Sequence, residues 1–143
     1  MIVPDVNLLV YAFNADDPLH GRAKRWLEEA LSGSEPVGLA WNVLLGFLRL
    51  TTRSGILAKP LQIEKALGIV DSWLRLPVVR IIEPGTRHLT LLRDLLTSAG
   101  TGGNLTSDAH LAAIAIEHDA EVCSSDADFG RFPGLRWRNP LTQ

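Results

Sequence analysis

With Cys123 as its only cysteine, the chain cannot form an internal disulfide. Its stability must come from an ordinary apolar core, which 143 residues are enough to build. Cys123 lies within an apolar run, the setting of a packed strand residue rather than a reactive thiol. No apolar stretch approaches the ~20 residues that cross a bilayer. Asp5 interrupts the first one and no small-residue cleavage site follows, so neither anchor nor leader is expected and the reading is cytoplasmic. Excess positive charge is missing as well. The formal net charge is −2, whereas nucleic-acid binders are usually basic. Lysine is scarce, with Lys24, Lys59 and Lys65 against eleven arginines. Guanidinium forks suit phosphates and surface ion pairs alike, so charge alone decides nothing. The histidines, at 20, 88, 110 and 118, are scattered and show no zinc-ligand spacing.

What remains is the composition of a soluble globular protein, 46% apolar and 21% charged. No repeat, low-complexity run or polar linker divides it, so residues 1–143 read as one domain. Ile2–Asp5 opens as a strand, and Val6–Asn14 follows as a helix packed on the sheet. Asp16-Asp17-Pro18 marks a turn. Apolar residues at helical spacing predict helices over His20–Leu31, Trp41–Thr52, Leu61–Leu74, Thr86–Ala99 and Leu105–His118. Asn104, Thr106 and Ser107 are all plausible caps for the last of these. Short strands are expected at Pro36–Leu39, Val78–Ile82, Glu121–Ser124 and Leu135–Arg138. Strands alternating with helices give an α/β sandwich with a mostly parallel sheet.

In such sheets, sites form beyond the carboxyl ends of the strands. Three segments bring carboxylates there: Asp5 after the first strand, Asp126 and Asp128 after Glu121–Ser124, and Asp108 near the start of a helix. A helix start favours an ionised carboxylate. Like charges gather in one cleft only when a cation sits between them. Carboxylate oxygens are hard ligands suited to Mg²⁺ or Mn²⁺.

These segments carry a family resemblance. Pro4-Asp5-Val6-Asn7-Leu8-Leu9-Val10-Tyr11-Ala12 resembles the opening signature of PIN-domain ribonucleases. Asp108-Ala109-His110-Leu111-Ala112-Ala113-Ile114-Ala115 is similar to their acidic helix, and Ser124–Leu135 to their closing segment. Order, spacing and length match those of small VapC-type toxins of toxin–antitoxin pairs. The resemblance implies a PIN-like three-layer sandwich and a Mg²⁺- or Mn²⁺-dependent endoribonuclease. It implies a small cognate antitoxin, an RNA substrate, a homodimer and no membrane association. By the same resemblance Asp5, Asp108 and Asp126 are the acidic ligands, with Asp128 a further one acting through water. Asn7 and Ser125 orient the carboxylates and the hydrated ion.

One position departs from the pattern. Val43-Leu44-Leu45-Gly46-Phe47-Leu48-Arg49 has Gly46 where the family commonly places a glutamate, and Glu64 belongs to a different helix. This opens an alternative, a non-catalytic PIN scaffold that binds RNA or protein as a regulator. A phosphotransfer domain with Asp5 as nucleophile ranks last, because the Asp-x-Asp and lysine context is missing. Each acid also has a bland reading: Asp5 and Asp108 as helix caps, Asp126 and Asp128 as turn residues. His110 reads as a surface or structural histidine. Trp26, Trp41, Trp73 and Trp137 are expected in the core or a dimer interface, with base stacking by Trp137 a minority reading. Arg22, Lys24, Arg25, Arg49 and Arg53 could guide phosphates or simply face solvent.

Overall fold

The computed structural model describes residues 1–142. Its strands are β1 (Ile2–Pro4), β2 (Val37–Ala40), β3 (Val79–Ile82), β4 (Glu121–Cys123) and β5 (Arg136–Arg138). The α-helices are α1 (Val6–Tyr11), α2 (His20–Ser32), α3 (Trp41–Thr52), α4 (Ile63–Leu74), α5 (His88–Ala99) and α6 (Leu105–Glu117). The sheet order is β3-β2-β1-β4-β5, and every pairing is parallel. Every residue of β1 and β2 is buried, which requires helices on both faces of the sheet. The apolar runs Ile-Val-Pro and Val-Gly-Leu-Ala suit these central places because no side chain there meets water. β5, at one edge, leaves Arg136 and Arg138 exposed.

A parallel sheet sends all its carboxyl ends to one edge. Asp5, Trp41, Glu83 and Ser124 are the residues that follow β1, β2, β3 and β4, so they emerge there together. α6 supports this edge. Its residues Leu111 to Ala115 are all buried, and the alanines let neighbouring elements approach closely.

The helices and strands fall close to the expected bounds, and their ends differ for local reasons. α1 stops at Tyr11, three residues before Asn14, which instead closes a turn by accepting from the Asp16 and Asp17 amides. α6 has no side-chain cap at Asn104; the Leu105 and Thr106 amides donate to the Gly102 and Gly103 carbonyls. Gly100, at φ +75°, closes α5 in a conformation that side chains disfavour. The tryptophans do not share one environment. Trp73 is buried, Trp26 and Trp137 are half-buried, and Trp41 is 44% exposed.

Phe47 ties α3 to α4 and to the segment after α1. It is fully buried, with ring centroids 4.8 Å from Trp73 and 5.5 Å from Phe13. Phe47→Ala should cost about 3–5 kcal/mol of unfolding free energy in urea titration. Leu89→Ala, at an exposed site, should change it by no more than about 0.5 kcal/mol.

Candidate metal centre

The site is assembled around one buried hydroxyl. The Asp5 amide continues the β1–β4 ladder by donating to the Cys123 carbonyl at 2.9 Å. Its carboxylate then turns back: Oδ1 accepts from the Val6 amide at 2.8 Å and Oδ2 from Ser124 Oγ at 2.8 Å. Ser124 has no exposed surface. Its Oγ also accepts from the Asp126 amide at 3.0 Å and from Asn7 Nδ2 at 3.3 Å. One proton and two lone pairs are all a hydroxyl has, and all three are used. The sequence reading gave this orienting role to Ser125; Ser124 holds these bonds instead. Ser124 is fully buried against Asp5 and Asn7, whereas Ser125 is only half-buried.

Asp126 accepts from the Asp128 amide at 2.9 Å and so opens a 3₁₀ turn over Ala127–Arg131 that the sequence reading did not include. Asp128 is exposed and lies 3.9 Å from Arg131, an ion pair too open to contribute much. Asp108 stands in the first turn of α6. One carboxylate oxygen from each of Asp108, Asp126 and Asp128 lies within 4.8 Å of the other two.

This proximity has an electrostatic consequence. The Asp108 carboxyl is pushed up to about 6, first by burial and then by the charges of Asp5, Asp126 and Asp128. The helix start, expected to favour its ionised form, is outweighed by burial first and then by three neighbouring acids. Burial likewise raises Asp5, opposed by the Ser124 and Val6 hydrogen bonds and assisted by the Asp126 charge. The residues fit a hard divalent cation: the donors are all oxygen, and mutual repulsion is what a cation would relieve. Asn7 Oδ1 adds a buried oxygen with no partner among the described residues. Asp5 keeps a free lone pair on each oxygen despite its two hydrogen bonds.

Gly46, where a further acid was expected, is buried on α3. A Cβ there would sit 3.2 Å from Val6 Cγ2, so a larger side chain would require Val6 to yield. The three-carboxylate cluster forms without it. Trp137 is committed elsewhere, its Nε1 donating to the Ser124 carbonyl at 3.1 Å. Arg22 and Arg25 share a cleft of about 550 Å³ with Trp26 and Arg138.

The histidines scattered along the sequence do not all stay apart. His88 Nε2 and His110 Nδ1 meet at 2.9 Å where α5 packs on α6. No spacing in the sequence signals this pair, because it depends on how the two helices pair.

The profile of the PIN domain family matches residues 2–135 of the chain. The ribonuclease VapC37 of Mycobacterium tuberculosis is 47% identical over 140 residues, covering 98% of this chain and 97% of that one. Ribonuclease VapC33 of the same species is 44% identical over 143 residues, covering all of both chains. Among solved structures, VapBC2 from Rickettsia felis, bound to a DNA fragment from its promoter, superposes with a TM-score of 0.70. It is 21% identical and covers 97% of this chain and 98% of that one. The conclusion is that the chain belongs to the PIN domain family.

Proposed function

We propose that this protein is the toxin of a VapBC-type pair, an endoribonuclease that depends on Mg²⁺ or Mn²⁺ and is restrained by a small antitoxin. The observation that carries the reading is the convergence of Asp108, Asp126 and Asp128 within 4.8 Å, beside Asp5. Full-length likeness to proteins named ribonucleases supports it. In this reading Asp5, Asp108, Asp126 and Asp128 hold the ion, and Asn7 and Ser124 fix the carboxylates that do so. A bound divalent ion would supply charge neutralisation on the phosphate and a lowered water pKa. The protein's own part is to keep Asp108, Asp126 and Asp128 converged with Asp5 beside them and, through the Asp108 proton, to set the pH at which they take up the ion. The non-catalytic reading has Gly46 in its favour, and the same experiments decide between the two.

Purified, antitoxin-free protein is expected to cleave RNA with Mg²⁺ or Mn²⁺ and to stop in EDTA. Asp126→Asn should lower the rate about 100-fold or more, because the charge stabilisation a metal supplies is worth several kcal/mol. RNA binding with no cleavage under any divalent ion would instead favour the regulator.

Ser124→Ala leaves Asp5 and Asn7 each short of a partner, and should weaken metal affinity or activity roughly 10- to 100-fold. Ser125→Ala should leave both near wild type. Isothermal titration with Mn²⁺ separates these outcomes, and equal losses in both variants would refute the assignment.

Asp108, at about 6, sets the pH dependence. Its folded value is raised, so its stabilising contribution is present below its unfolded value and is lost as pH rises through about 6. Metal-free protein should therefore lose stability as pH climbs from about 4 to 7. Mn²⁺ affinity should rise across pH 5–7 and level off above, as ion and proton cease to compete. Metal-free melting temperatures that increase over this interval would contradict the assignment.

A further inference from the structure

On the same edge of the sheet as Asp5, at the ends of β2 and β3, lies a cavity for which the metal chemistry has no use. It encloses about 290 Å³, and its lining includes Trp41, Asn42, Glu83, Pro84, His110 and Ile114. The sheet fixes its position. Ile2 is in register with Val37, which sets Asp5 level with Ala40, and Trp41 is the next residue. Adjacent strands are about 4.8 Å apart, so the Trp41 side chain leaves the backbone roughly one strand away from Asp5. Ala40 is in register with Ile82, which brings Glu83 level with Trp41 from the other side. α6 supplies His110 and Ile114, one turn apart on one face, and the same helix carries Asp108 in its first turn. Asp108 and His110 are two residues apart and so stand on different faces of α6, one toward the acids and the other toward the cavity.

The lining suits one kind of occupant. Trp41 is 44% exposed, a large flat ring left open at the cavity, whereas Trp73 is only 5% exposed. Asn42 can donate and accept, and the Glu83 carboxylate accepts. The backbone carbonyl of Glu83 is held by His118 Nε2 at 2.9 Å. His110 is held through Nδ1 by His88, which leaves its Nε2 as the second polar atom of the ring. No arginine or lysine lines the cavity, and the Glu83 carboxylate would repel a phosphate. An apolar helix from a second copy would leave three polar side chains without partners, at a cost for each one desolvated. A planar, neutral heterocycle with hydrogen-bonding edges satisfies both the indole and the polar groups. RNA bases splayed out of a single strand are recognised by this combination of stacking and edge contacts.

We propose that this cavity is a nucleobase subsite, which takes one unstacked base of the RNA strand next to the cleaved phosphodiester and so selects the cleavage position. Trp41 stacks on the base, and Asn42, Glu83 and His110 face its edges. The proposal rests on the nuclease reading, and it is tested by a measurement that does not need cleavage. Affinity for a randomised single-stranded RNA pool is measured in EDTA, and products formed with Mn²⁺ are sequenced. Trp41→Ala should weaken binding in EDTA roughly 5- to 100-fold, the range that one base–aromatic stack supplies, while Trp41→Phe retains most of the affinity. Asn42→Ala and Glu83→Gln should change the base preferred at one position beside the cut.

Folded Trp41→Ala protein with wild-type affinity and an unchanged cleavage profile overturns the subsite. So does a defect confined to self-association in sedimentation, or to capture of a co-expressed antitoxin. If Trp41→Ala does not fold, Asn42→Ala and Glu83→Gln decide, and unchanged profiles in both overturn it. Wild-type protein that binds the pool through Trp41 yet never cleaves it overturns the nuclease reading and leaves the subsite standing.

Discussion

The Ser124 hydroxyl has one proton and two lone pairs and uses all three, two of them to reach Asp5 and Asn7, more than a hundred residues away. Asp5 follows the first strand, Asn7 comes from the first helix and Asp126 from the turn after β4. Removed from water, an unpartnered carboxylate is expensive to keep ionised. The hydroxyl and the Val6 amide offset part of that cost at Asp5. The remainder persists as a raised Asp5 and an Asp108 pushed up to about 6. The cluster thus stores electrostatic tension that a cation relieves, and the apolar core is what holds the acids close enough to create it.

That core also determines where the cluster can be. A parallel sheet buried on both faces has one edge where all its strands release their chains, and α6 is packed beneath that edge by five consecutive buried residues. The same geometry puts Asp5 and the Trp41 cavity on one edge. One edge therefore carries acids after β1 and β4 and an exposed indole after β2.

Much of this was legible in the sequence. The helical and strand patterns around Asp5, Asp108 and Asp126 place each after a strand or at a helix start, and the family resemblance adds Asp128. Trp41–Thr52 was placed to the residue because its apolar spacing is continuous and Gly55 follows. The failures share a cause. Choosing Ser125 over Ser124 required knowing which of two adjacent residues faces inward, and β4 is too short for its alternation to say. The ends of α1 and α6 are set by turn hydrogen bonds from Asn14, Gly102 and Gly103, which leave little trace in composition.

The sequence by itself determined the fold class and the order of elements, because those follow from local periodicity and residue chemistry. Only the tertiary structure decided which groups meet. It joined Ser124 to Asp5 across the sheet, paired His88 with His110 across two helices, and left Trp41 open beside the acids while burying Trp73. Each of these depends on distances between residues far apart in the chain. Such distances are fixed by how helices pack on the sheet, and no local pattern encodes them.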